Sequence, residues 1–225
     1  MKRFLPLTVL LAAGCGFAVL VAAGCGAWGG SRTVTTPARS EQPDLDFPVG
    51  EFSLTERSGK TVTDKDLRGK VWIGSFVFTR CTGPCPAVTN TMGRLQTELK
   101  DELKAGAVKL VTFTVDPARD DLKALRDYAN ARQADPDNWL FLTGDEKTIH
   151  KLLREQFKQA VERKVGPDVQ PGDEFGHSTR LILVDRSGVI RGAYEGLPGD
   201  DFPDGKDRFE SGLTRLKDRA RELVK

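Results

Sequence analysis

The segment Val71–Phe78 (VWIGSFVF) narrows the possible folds more than any other part of this 225-residue chain. It is almost continuously apolar and rich in β-branched and aromatic side chains. A strand of this kind has no polar face to give to water, so both faces need cover, as in a parallel sheet layered by helices. The flanking pattern agrees. A helical stretch, about Pro84 to Lys104, repeats Val88, Met92, Leu95, Leu99 and Leu103 at threes and fours. Val108–Val115 (VKLVTFTV) reads as the next strand, and Leu122–Arg132 as a helix with Asp120 and Asp121 as caps. Trp139–Leu142 is a short strand, followed by a helix over Glu146–Phe157. Arg180–Asp185 and Val189–Tyr194 flank Arg186-Ser187-Gly188 and predict a hairpin. Arg208 to Val224 closes the chain as a helix. Strand–helix units that end in a hairpin and a helix point to an α/β, thioredoxin-like fold: a central mixed sheet with helices on both faces.

Composition removes several functional classes. The 34 Lys+Arg nearly balance the 32 Asp+Glu, which argues against a nucleic-acid partner. Two histidines exclude a multi-histidine metal centre, and four cysteines do not make a disulfide-scaffolded mini-protein. The hydrophobic fraction of 39% suits one well-packed domain. We expect it to act as a monomer.

The N-terminus has its own signature. Lys2 and Arg3 precede an apolar stretch from Phe4 to about Ala23, the pattern of an export signal. The basic end stays cytoplasmic, so the remainder is expected outside the cytoplasm, on the periplasmic side. Ala-Ala-Gly-Cys occurs twice, ending at Cys15 and at Cys25, and both copies resemble a lipoprotein acylation site. Cys25 is preferred because GAWGGS, Gly26–Ser31, follows it as a flexible tether. The alternatives are an uncleaved anchor, since Phe4 to Trp28 is long enough to cross a bilayer core of about 30 Å, and a plain cleaved signal. Residues 1–25 are thus read as signal or anchor, 26–46 as a polar, Pro-containing linker, and 47–225 as the domain.

The chemistry is concentrated in Cys81-Thr82-Gly83-Pro84-Cys85-Pro86, where the buried strand hands over to a helix. Ligands gather at that end of an open α/β sheet. Backbone N–H groups and the helix dipole there favour a thiolate, and Arg80 adds positive charge. If the spacing is helical, the two sulfurs lie one turn apart on one face, able to share a metal ion or to close a disulfide. As a structural staple the pair is poor, because so short a loop removes little entropy from the unfolded chain. His177, in Phe175-Gly176-His177-Ser178-Thr179, precedes the hairpin and in a thioredoxin-like sheet would lie beside the cysteine turn. Two thiolates and an imidazole suit copper, with zinc as a competitor. His150 lies at the edge of an apolar helix stripe and has no ligand chemistry spaced near it. The Pro- and Gly-containing Val165–Phe175 (VGPDVQPGDEF) is expected to be an exposed flap that lets His177 swing in when metal binds.

Taken together, these segments resemble the Sco/SenC family, thioredoxin-fold copper chaperones that help assemble the copper-A centre of cytochrome c oxidase. The resemblance runs from about Phe47 to Tyr194. It rests on the strand leading into Cys81-x3-Cys85-Pro86, on Thr114-Val115-Asp116-Pro117-Ala118-Arg119-Asp120, and on Gly176-His177-Ser178 before Leu181–Asp185 and Gly188. It implies copper as the bound ion, Cys81, Cys85 and His177 as its ligands, and a copper-receiving oxidase subunit or other copper protein as the partner of a membrane-tethered domain. Family members often carry an acidic residue between the cysteines and an Asp before the histidine. Here Thr82-Gly83-Pro84 and Gly176 stand in those places. Asp116 ends a strand at an Asp-Pro turn and is a candidate to face the site. The alternative function is a thiol–disulfide oxidoreductase that reduces partner cysteines through Cys81 and Cys85. A peroxidase of the same fold is weaker, because no peroxide-activating pattern surrounds a single cysteine.

Overall fold

The structure is a computed structural model that describes residues 45–199 and 204–225. The residues read as signal or anchor, Cys15 and Cys25 among them, and most of those read as linker lie outside the described residues. Residues Gln42–Lys225 form one compact unit. Among the described residues, no helix is long and apolar enough to cross a membrane.

Three parallel strands make the centre: β4 (Val71–Val77), β5 (Val108–Thr114) and β6 (Trp139–Thr143), with β1 (Phe47–Pro48), β2 (Ser53–Glu56) and β3 (Thr61–Thr63) preceding them in the chain. All seven residues of β4 are buried, as an unrelieved apolar run requires. Between the central strands come α1 (Cys85–Glu98), the short α2 (Lys100–Lys104) and α3 (Leu122–Ala131). After β6 follow α4 (Glu146–Lys151), β7 (Val161–Arg163), β8 (Phe175–His177), β9 (Arg180–Val184), β10 (Val189–Glu195) and α5 (Gly205–Val224). The main sheet runs β1-β10-β9-β4-β5-β6-β2-β3, and β7 pairs with β8 in a separate two-stranded sheet. β9 is antiparallel to β4, so the sheet is mixed, as expected.

The crossovers β4–α1–β5 and β5–α3–β6 step in the same direction, which puts α1 and α3 on one face of the sheet. The two helices meet where Thr89 Oγ1 lies 2.7 Å from Tyr128 Oη, and α5 joins them through Arg94 and Glu210, 2.8 Å apart. The other face carries an aromatic cluster in which Phe113 meets Phe157, Phe76, Phe52 and Trp72 at ring separations of 5.1–6.2 Å. Phe157 reaches it because the helix expected over Glu146–Phe157 widens after Lys151 into a π-turn, Leu152–Gln156. The Phe157 N–H donates to the Leu152 carbonyl five residues back, and the wider turn rotates the ring onto the sheet.

Several details depart from expectation. The helix begun at Cys85 breaks at Leu99, whose φ of −111° and ψ of 22° separate α1 from α2. Asp121 caps α3, accepting the Ala124 N–H at 2.7 Å, but Asp120 is no cap. Its buried carboxylate accepts the Thr79 N–H and the hydroxyls of Thr79 and Thr114, tying the start of the cysteine turn to the end of β5. Burial pushes the Asp120 carboxyl above its usual range, against those hydrogen bonds. The small strands β1, β2, β3, β7 and β8, of two to four residues each, were not visible as periodic patterns.

Candidate metal centre

Cys81 and Cys85 lie beyond the C-terminal end of β4. Cys85 is the first residue of α1, Pro84 its cap and Pro86 its second residue, so neither proline removes a hydrogen bond the helix needs. Cys81 stands outside the helix, and the expected helical spacing of the two cysteines is therefore not what brings them together. A turn does so, opened by the Cys81 N–H bonding to the Phe78 carbonyl at 3.2 Å. Both cysteines are free thiols, Cys85 buried and Cys81 half-buried.

His177 comes from β8. Its Nε2 lies 3.3 Å from Cys85 Sγ. The donor atoms of Cys81, Cys85 and His177 all lie within 4.8 Å of one another, close enough to hold one metal ion. The ring's orientation is set on both sides. Nδ1 is 2.9 Å from the Ser178 carbonyl, which can only accept, so the proton sits on Nδ1 and the Nε2 lone pair faces the sulfurs. Phe78, the last residue of the apolar run, packs edge-on against both His177 and Phe175, at 5.8 and 5.6 Å.

The two sulfurs differ in acidity. A hydrogen bond from the Cys85 thiol, helped by the N–H groups of Cys85 and Gly83, draws Cys81 down to about 4 in spite of its partial burial. Cys85 moves the other way, because it gives its proton to that bond and because it is buried. α1 has no acidic residue in its first turn, so its N-terminal dipole is left for the thiolate. Arg80, expected to help by its charge, reaches Glu174 instead, at 3.6 Å.

Other residues singled out from the sequence lie outside the donor set. Asp116 is buried and faces guanidinium groups, Arg119 at 3.3 Å and Arg163 at 3.8 Å. His150 is buried too, with Nε2 bonded to the Val115 carbonyl at 2.7 Å and its ring edge-on to Phe175 at 5.7 Å. It supports the strand that carries His177. The segment Val165–Phe175 is exposed at Val165 but is not a free flap. Gly172 is buried against the cysteine turn, and its carbonyl accepts the Thr82 N–H at 3.2 Å. His177 is within reach of the sulfurs without any swing. Sequence reasoning missed Glu174, which bonds to Arg119 and holds this segment down. Its only signal was an acidic residue among polar loop residues, which is indistinguishable from a solvated charge.

This geometry can be set beside known proteins. Residues 40–201 match the family described as SCO1/SenC. A SCO1/SenC family lipoprotein from Bacillus anthracis is 31% identical, with a TM-score of 0.63 over 79% of this chain and 98% of that one. BsSco is also 31% identical, with a TM-score of 0.62 over 79% and 96%. It is described as a member of the Sco family of cytochrome c oxidase assembly proteins in which a disulfide switch was identified. ScoI from Bradyrhizobium japonicum, solved with copper bound, is 25% identical, with a TM-score of 0.60 over 77% and 98%. The thioredoxin-like sheet, the cysteine turn at its central strand and the extent of these matches lead to one conclusion: the chain belongs to the SCO1/SenC family.

Proposed function

We propose that this protein is an extracytoplasmic copper carrier that binds one copper ion through Cys81, Cys85 and His177 and delivers it to a copper-receiving subunit of cytochrome c oxidase. The observation that carries the reading is the convergence of two sulfurs and an Nε2 lone pair from separate segments within 4.8 Å. Two soft thiolate donors with one imidazole fit copper, and a low-coordinate set leaves room for an incoming ligand. The copper-bound ScoI relative and the oxidase-assembly description of BsSco support both the ion and the destination. Delivery then needs only ligand exchange, in which partner thiolates replace the carrier's donors one at a time. Tethering is inferred from the basic and apolar N-terminus with lipidation at Cys25, and the lipoprotein relative is consistent with it. No turnover of a substrate is required of such a protein.

A second reading has its own observation. Two free thiols lie together, Cys81 half-buried with its pKa drawn down and Cys85 buried with its pKa pushed up, the arrangement of an attacking and a resolving thiol. Cys81 would attack a partner disulfide and form a mixed disulfide. Cys85 would then displace the partner's thiol, leaving a Cys81–Cys85 disulfide and a reduced partner.

Anaerobic titration of residues Gln42–Lys225 with Cu(I) against a competing chelator separates the two readings. One tightly held copper per chain, weakened by His177→Ala, is expected for the carrier. Binding indifferent to His177, with partner disulfides reduced equally well by both proteins, would favour thiol exchange.

A further inference from the structure

The hairpin that carries His177 is fastened to the cysteine turn by contacts outside the donor set. Glu174, just before β8, sets Oε1 against Arg119 and 3.6 Å from Arg80, the residue before Cys81. Its Oε2 accepts the Gly172 N–H at 2.8 Å. The Gly172 carbonyl accepts from Thr82, which lies between the two cysteines. Gly172 has a φ of +91°, and a Cβ there would stand 2.8 Å from the Arg80 carbonyl oxygen and 2.6 Å from Thr82 Cγ2. Only glycine allows so close a backbone approach. The other strand of the hairpin is fastened as well: Arg163 on β7 reaches Glu146 at 2.8 Å and Asp116 at 3.8 Å, and Asp116 faces Arg119.

These contacts join the segment that supplies the imidazole to the segment that supplies the sulfurs, and they touch none of the three donor atoms. We propose that Glu174 and Gly172 form a latch that holds the hairpin closed over the cysteine turn, so that opening the latch, rather than breaking the metal–sulfur bonds alone, sets how fast copper leaves for a partner. The inference rests on the copper-carrier reading. Its physical basis is the kind of contact involved. β7 and β8 have three residues each and lie outside the main sheet. A two-stranded unit of this size has little stability of its own and depends on what it is docked against. The Glu174 side chain is 15% exposed and that of Arg119 is 31% exposed, so the pair is accessible enough to be exchanged for a partner's charges. A partner carboxylate that takes Arg119, or a partner cation that takes Glu174, would free the hairpin as it docks.

The test uses the full-length chain and two readouts. The first is amide hydrogen exchange over residues 161–177, measured without added copper, which reports the latch whether or not the protein carries copper. The second is the rate of Cu(I) release to an excess of a small bidentate chelator. Glu174→Gln is expected to raise exchange in this segment and to speed release about fivefold, the scale of one partly exposed ion pair. The Cu(II)–thiolate absorption should stay unchanged, because the donor set is untouched. Gly172→Ala should act in the same direction and more strongly, and Glu174→Asp should restore part of the wild-type rate. Unchanged exchange in Glu174→Gln would overturn the latch. Raised exchange with an unchanged release rate would overturn its control of transfer. If the wild-type chain holds no copper, the carrier reading fails and control of copper transfer falls with it, while the exchange result still decides whether the fastening exists. Should Gly172→Ala not fold, Glu174→Gln decides alone, since it removes one partly exposed carboxylate.

Discussion

The two halves of the proposed copper site are built by different physics. The cysteines stand on the end of β4, a strand with every residue buried, and at the start of a helix whose Val88, Met92 and Leu95 are fully buried. His177 stands on a hairpin of two three-residue strands, fastened by Glu174, Arg163 and one backbone hydrogen bond from Thr82, with Phe175 and Phe78 as its main apolar contact. The first half can move only if the core is disrupted, whereas the second is docked by the buried Val161 and Phe175 and a few polar contacts. The proposed carrier would gain from this asymmetry, because the sulfurs are held by the strand and helix of the main fold while the imidazole depends on the docking of a small hairpin.

Breaking each half should therefore read out differently. The largest effect is expected from Phe113→Ala, which removes the ring at the centre of the aromatic cluster. It should lower unfolding stability in denaturant by about 3–5 kcal/mol, with copper affinity of the folded fraction little changed. His177→Ala should do the opposite. Copper affinity in a chelator competition should fall at least about 100-fold, more than loss of an outer-shell partner, with stability nearly unchanged. A loss of stability there as large as for Phe113 would mean that His177 itself, and not only Val161 and Phe175 of its hairpin, is part of the core.

Asp120→Ala probes the first half, where the cysteine turn is tied to the end of β5. It leaves the Thr79 N–H and two hydroxyls without their acceptor, and should cost about 2 kcal/mol in a denaturant titration. Asp120→Asn can still accept from Thr79 and Thr114 and should cost less than half as much. Equal losses would show that the charge, not the hydrogen bonding, matters at this position.

The smallest perturbation is a change of pH. A thiol with a lowered pKa stays ionised as pH falls and loses reactivity only on approaching that value. Alkylation of Cys81, followed by mass spectrometry, should therefore hold nearly constant down to about pH 5, whereas an ordinary thiol with a pKa of about 8.5 loses tenfold per pH unit below it. Cys85 should stay unmodified. Replacing Cys85 with Ala removes the leading donor to Cys81 and should move the fall-off to higher pH. A profile unmoved by Cys85→Ala would assign the acidity to the backbone N–H groups at the helix N-terminus instead.

The order of the main elements follows from the sequence alone, because strands buried on both faces must be apolar throughout and helices on a sheet must repeat at threes and fours. The run Val71–Phe78, the stripe from Val88 to Leu95 and the hairpin around Gly188 each have a local cause, and each lies where it was expected. The cysteine pair was legible for the same reason, since a strand-to-helix junction is a local event. His177 was legible only as a candidate, and its pairing with Cys85 Sγ is a contact across 92 residues. Tertiary structure alone decided the rest. It turned Asp120 from an expected cap into a buried acceptor, turned Arg80 from the thiolate to Glu174, and fastened the Gly172–Glu174 segment where a free flap was expected. These are interactions of polar side chains and short edge strands. Such groups have no period in sequence, and the partner that satisfies each one is fixed only when the sheet brings distant segments together.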